Sequence, residues 1–180
     1  DFIRGVILFD ETFRQSTIKD NIPFTKYLSD LGVIPGIKVD GGAKNLAGTE
    51  GEKITEGLDG LDERLKEYFT LGARFAKWRA VISIGDEEPS GTCIAANAHA
   101  LARYASLCQQ NGIVPIVEPE ILMNGKHSIE DSFIVSEEVL HTVFYELYSQ
   151  NVELEGMVLK PNMVLSGYDC STLASIEHVA

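Results

Sequence analysis

Apolar residues in this chain gather in five short runs: "GVILF" (5–9), "GIKV" (36–39), "FAKWRAVI" (75–82), "VPIVEPEIL" (114–122) and "GMVLK" (156–160). Most are rich in Val, Ile, Leu and Phe, and all are short enough to read as strands. The segments between them carry a different period. Leu58, Leu61, Leu65, Tyr68 and Phe69 fall on one face of a helix, with Asp62, Glu63, Lys66 and Glu67 largely on the other. Val135, Val139, Leu140, Val143, Phe144 and Leu147 repeat that spacing further on. Residues 95–110, "AANAHALARYASLCQQ", predict an Ala-rich helix whose small residues allow close packing, ended by Asn111 and Gly112.

Strand followed by helix, repeated at roughly 40-residue intervals, predicts a parallel sheet with right-handed crossovers. No Gly/Ser linker divides the chain, so residues 1–180 read as a single domain. An open doubly wound sheet and a closed barrel share this alternation, and the polar positions separate them. Residues i and i+2 of a strand face the same way. Lys38 and Asp40, Lys77 and Arg79, and Glu118 and Glu120 are such pairs at or near the C-terminal ends of their runs; Lys160 and Asn162 make another if that strand continues through Pro161. Charged side chains converging from successive strand ends are the barrel arrangement. A doubly wound sheet more often shows a Gly-rich phosphate loop after its first strand, and "GVILFDETFRQ" has none. The predicted class is α/β, a (β/α)8 TIM barrel. A complete barrel takes about 250 residues, so the 180 residues here hold about five of the eight units, and the last helix begins near "STLASIEHVA".

Composition narrows the function. With 44% hydrophobic and 23% charged residues the chain can bury a substantial core. A net charge of −12 leaves no basic footprint, so nucleic acid is not an expected partner. No apolar run approaches the roughly 18–20 residues of a membrane span. The first residues have no basic stretch ahead of their apolar run and do not read as a signal peptide; they also lack an initiating methionine, so a processed or incomplete sequence is expected. Cys93, Cys108 and Cys170 are an odd number at no metal or redox spacing, which predicts reduced thiols in a cytosol-like compartment, with Cys108 a packing residue.

Any one strand-end lysine is ordinarily a solvated side chain. Four consecutive units doing the same thing carry more weight. Lys38, Lys77, Arg79, Glu118 and Lys160 are expected to face one space on an otherwise acidic protein, a basic pocket suited to an anion such as a phosphate ester. A lysine held in an apolar strand and crowded by cations gives up its proton more readily. As the free amine it condenses with a carbonyl, and the protonated imine lets an adjacent carbon–carbon bond break. Lys160 is that candidate; Glu118 would move the protons of carbinolamine dehydration, and Lys77 would add positive charge beside the amine. The predicted chemistry is Schiff-base aldol cleavage with no metal and no cofactor. His99, His127, His141 and His178 are scattered outside the strand ends, against a metal-dependent aldolase.

"GIKVD", "LAGT", "FAKWR", "ARYASLCQQNGIVPIVEPEIL" and "LKPNMV", in register along essentially the whole chain, closely resemble the class I fructose-1,6-bisphosphate aldolases. The resemblance implies a barrel enzyme of glycolysis and gluconeogenesis, cytoplasmic and usually homotetrameric. It would cleave fructose 1,6-bisphosphate reversibly to dihydroxyacetone phosphate and glyceraldehyde 3-phosphate. It assigns the Schiff-base lysine to Lys160, the acid/base glutamate to Glu118 with Glu120 supporting the proton network, substrate positioning to Lys77, and binding of charged groups to Arg79 and Lys38. Gly41 and Ser166 depart from the lysine and proline common in relatives, in loop positions. By the same resemblance a strand with an active-site aspartate and two with phosphate-holding turns lie outside these residues, so the 180-residue chain alone is expected to be poorly stable and close to inactive. Two alternatives stand beside this reading: another Schiff-base sugar-phosphate lyase of the same barrel type, and a catalytically weak interaction module, since relatives bind actin filaments and proton-pump subunits.

Overall fold

Where period-2 alternation is strongest, the chain builds one of its two longest strands. A computed structural model describes residues 2–180; Asp1, the acidic start of the sequence, lies outside them. β5 (Phe75–Ile82) puts Ala76, Trp78, Ala80 and Ile82 against the helices, fully or nearly fully buried, and sends Lys77 and Arg79 to the other face. Its parallel neighbours are β2 (Ile34–Lys38) and β6 (Val114–Ile121), with β1 (Gly5–Leu8) beyond β2 and β7 (Val158–Leu159) beyond β6. The sheet order β1-β2-β5-β6-β7 adds every new strand to the same edge. A doubly wound sheet reverses direction at a switch point; this one does not, which is barrel winding.

Helices cover one face. α3 (Leu61–Thr70) buries Leu61, Leu65 and Tyr68. α4 (Gly91–Gln110) starts where Ser90 Oγ accepts the Cys93 N–H at 3.1 Å and ends at Asn111, before Gly112 at φ +69°. α5 (Ile129–Ser149) begins with a reciprocal capping box between Ser128 and Asp131. Shorter helices α1 (Asp10–Phe13), α2 (Phe24–Asp30) and α6 (Ile176–Val179) complete the set. Trp78 stacks on Tyr104 of α4 with ring centroids 5.5 Å apart, and the Tyr104 hydroxyl shares its proton between the carbonyls of Ala76, at 2.7 Å, and Ile116, at 3.2 Å. That contact sets α4 across β5 and β6 together. On the opposite face the Phe75 ring lies over Gly36, where a Cβ would come within 2.3 Å of it. Among the described residues no helix is long and apolar enough to cross a membrane.

The sequence expectations fail in three places. The run 156–160 yields only two residues of strand, because Leu154–Gly156 forms a 3-10 turn and Pro161 has no N–H to continue the ladder. Lys160 and Asn162 therefore lie past β7 rather than in it. Phe69 and Phe144, assigned to buried faces, are 41% and 38% exposed. Finally, an antiparallel hairpin of β3 (Ala43–Asn45) and β4 (Lys53–Thr55) interrupts the alternation between β2 and α3; its polar residues gave no period to read.

Candidate active site

Lys38 at the end of β2, Lys77 in β5, Glu118 in β6 and Lys160 just past β7 line one recess of about 260 Å³, floored by Ile7, Leu8 and Phe9 of the first strand and its end. Larger hollows open beside His127 and beside the hairpin, about 610 and 620 Å³, but neither gathers the strand-end lysines. Glu118 is the centre. It is 2% exposed, and its Oε1 accepts a hydrogen bond from Lys160 Nζ at 2.5 Å. Its Oε2 lies 3.1 Å from Lys77 Nζ, close enough to pair as ions but not aligned as a hydrogen bond. One buried carboxylate thus bridges two ammonium groups from the strands on either side of it.

Arg79 and Glu120 sit one alternation further along the same two strands and outside the recess lining. They hydrogen-bond to each other. The Arg79 guanidinium holds the Glu120 carboxyl below its ordinary value, with the charges of Lys160 and Lys77 adding to the effect. Asp40 is the third acid. Its side chain is 3% exposed, accepts from Lys38 Nζ at 2.6 Å and from the Gly42 N–H at 3.1 Å, and its other oxygen accepts from the Arg79 N–H at 3.4 Å. Four cations therefore face three carboxylates. The space is a paired network that keeps one cation in excess. Lys160 departs from expectation: its side chain is 58% exposed and hydrogen-bonds an anion, so it is not sunk in an apolar strand.

The hairpin braces the β5 end of the site. Thr55 Oγ1 donates to the Arg79 carbonyl at 2.8 Å, and Asn97 of α4 accepts from the Thr55 N–H at 3.2 Å while donating to the Lys53 carbonyl at 2.8 Å. Beyond the end of β2, side chains of Asp40 and Thr55 hold the Arg79 backbone where a neighbouring strand would. Sequence reading missed Thr55 and Asn97; Asp40 was visible as the partner of Lys38, though not as a support for Arg79.

Elsewhere, Cys93 and Cys108 are buried in the core, and burial pushes the Cys93 thiol up to about 11 and the Cys108 thiol higher still, which makes both poor nucleophiles. His99 pairs with Glu146 between α4 and α5, at 2.9 Å. Among the described residues no three His, Cys, Asp or Glu side chains cluster as a metal-binding group.

The family model for glycolytic class-I fructose-bisphosphate aldolase matches residues 1–180. A probable fructose-bisphosphate aldolase class 1 of Xanthomonas campestris is 64% identical over 180 residues, covering 100% of this chain and 54% of that protein. Cytosolic fructose-bisphosphate aldolase 4 of Arabidopsis thaliana is 52% identical over 99% of this chain and 45% of its own length. Among solved structures, fructose-bisphosphate aldolase from Plasmodium falciparum, in a ternary complex with TRAP and a small-molecule inhibitor, superposes with a TM-score of 0.95 at 50% identity, covering 99% of this chain and 52% of that one. The chain spans about half the length of the curated relatives it matches.

Proposed function

Because this chain belongs to the class-I fructose-bisphosphate aldolase family, we propose that it carries the Schiff-base part of an aldolase site, in a protein that cleaves fructose 1,6-bisphosphate reversibly to dihydroxyacetone phosphate and glyceraldehyde 3-phosphate. The observation that carries this reading is the Glu118 carboxylate held between Lys160 and Lys77.

In this mechanism Lys160 Nζ, as the free amine, adds to the ketone carbon of the open-chain sugar. Glu118, 2.5 Å from that nitrogen, accepts the ammonium proton that frees the amine and passes it to the ketone oxygen. It then takes the proton shed by the added nitrogen and delivers it to the departing hydroxyl; water leaves and an iminium remains. The bond between the third and fourth carbons breaks, its electron pair moving toward the iminium nitrogen. Glyceraldehyde 3-phosphate departs, and the enamine left on Lys160 is protonated and hydrolysed to dihydroxyacetone phosphate and the free amine. The base that takes the hydroxyl proton during cleavage, an aspartate by family resemblance, lies outside these residues. Lys77 keeps a positive charge beside the reacting carbons, Lys38 and Arg79 bind charged groups of the sugar phosphate, and Glu120 supports the proton network. The reading extends to a cytoplasmic homotetramer of glycolysis and gluconeogenesis. Relatives named as cytosolic support the compartment, and a relative solved with TRAP bound supports a protein partner, while a cytoskeletal one rests on the family resemblance alone.

The test is intact mass after incubation of the protein with dihydroxyacetone phosphate and borohydride, followed by peptide mapping. One triose-phosphate adduct on Lys160 is expected. An adduct on Lys77 instead, or none on a folded protein of native length, overturns the assignment.

A further inference from the structure

β7 is two residues long, yet the lysine beyond it must meet Glu118 with an accuracy of tenths of an ångström. Its ladder with β6 pairs Ile116 with Val158 and Val117 with Leu159, and the Lys160 N–H donates to the Val117 carbonyl at 2.9 Å. Continuing that register by one step sets Lys160 opposite Glu118, and by two sets Pro161 opposite Pro119. Neither proline has an N–H, so the regular ladder stops there. The next donor on this edge of β6 is the N–H of Ile121, a residue 3% exposed that would be costly to leave unbonded. Asn162 Oδ1 accepts it at 3.1 Å, and the carboxamide is oriented by its own donation from Nδ2 to the Met163 carbonyl at 2.9 Å.

We propose that Asn162 is a positioning residue for Lys160, its side chain replacing the sheet hydrogen bond that Pro161 cannot make. The segment 160–162 is pinned to β6 at Val117 on one side and Ile121 on the other, and the two pins bracket Glu118. With its side chain 58% exposed and hydrogen-bonded to Glu118 alone, Lys160 depends on this backbone placement for where its amine sits. The inference rests on the reading of Lys160 as the imine-forming lysine.

The experiment compares Asn162→Ala and Asn162→Asp with the wild type in the protein at native length. The aspartate keeps an oxygen acceptor for Ile121; the alanine does not. Competitive labelling with trace acetic anhydride, read by peptide mapping as acetylation of Lys160 relative to the exposed Lys19, reports the Lys160–Glu118 pairing without substrate. Asn162→Ala is expected to raise the Lys160 ratio about tenfold, the factor set by one ordinary hydrogen bond, to leave Lys77 unchanged, and to be rescued by Asn162→Asp. In borohydride trapping the same variant should slow adduct formation at saturating dihydroxyacetone phosphate, with half-saturation unmoved. Wild-type labelling in a folded Asn162→Ala protein, or no rescue by aspartate, overturns the proposal. If the alanine variant does not fold, Asn162→Ser, one atom too short to reach Ile121, takes its place under the same criteria. Should the wild type itself trap no adduct, the aldolase reading fails while the labelling ratio still decides the role of Asn162.

Discussion

Glu118 is held by two lysines that the fold treats differently. Lys77 stands within the eight-residue β5, at a position paired on both sides, with its side chain 19% exposed and its ammonium 3.1 Å from Oε2. Lys160 stands past the end of a two-residue strand paired on one side, 58% exposed and 2.5 Å from Oε1. An embedded cation keeps its place through the rigidity of its strand and belongs to the framework of the site. A cation on a pinned segment keeps its place through a few hydrogen bonds, and its amine has room to accept a carbonyl carbon. The division suits one charge that stays and one that reacts.

The largest effect expected from breaking this comparison comes from removing the reacting amine. Lys160→Met should abolish adduct formation and lower turnover about 10⁴-fold or more, as loss of a covalent nucleophile does. Its stability should fall less than that of the Lys77 variant, because the lost ammonium is on a 58%-exposed side chain although its carboxylate partner is buried. A variant that keeps trapping substrate would move the nucleophile elsewhere. Lys77→Met should invert the balance between chemistry and stability. It leaves a 2%-exposed carboxylate with only its exposed partner, at a cost of about 1–3 kcal/mol in urea unfolding; the Lys160 adduct should still form, more slowly. Equal stability losses for the two lysine variants would erase the distinction between framework and reactive cation.

How far this contrast was legible in the sequence depends on which strand is considered. "FAKWRAVI" alternates without a break, and β5 occupies those eight residues, so the shared face of Lys77 and Arg79 follows from period alone. "GMVLK" is as apolar, but apolar content does not say how much of a run finds a ladder partner; a 3-10 turn takes its first residue and Pro161 ends it. The convergence of Lys38, Lys77, Glu118 and Lys160 was readable because strand ends in a barrel share one rim. The pairing of Lys77 with Glu118 and of Arg79 with Glu120 was not, because it depends on distances across strands some 40 residues apart. The hairpin and its Thr55 and Asn97 contacts were invisible for a related reason: its polar strands are defined by what they dock on rather than by any pattern of their own.

The smallest effect sharpens the comparison from the framework side. Arg79 shares a face of β5 with Lys77, and its hydrogen bond to Glu120 joins β5 to β6 one alternation beyond Glu118. The guanidinium lowers the Glu120 carboxyl from its ordinary 4.5. The unfolded chain therefore binds a proton at higher pH than the folded one. The pair's contribution is complete above pH 4.5 and is lost as pH falls through the lower folded value. Because the Arg79 side chain is 41% exposed, solvent screening keeps that contribution to about 1 kcal/mol at most. Asp10, Glu67 and Asp131 are lowered as well and also weaken the fold in acid, so the difference between wild type and Glu120→Gln is the quantity to measure. In urea unfolding the variant should be the less stable at pH 7, and the gap should close as pH drops below 4.5. A gap that stays constant with pH would mean that the Arg79 and Glu120 side chains pack rather than pair, and that the framework cations of this site owe their positions to the strand alone.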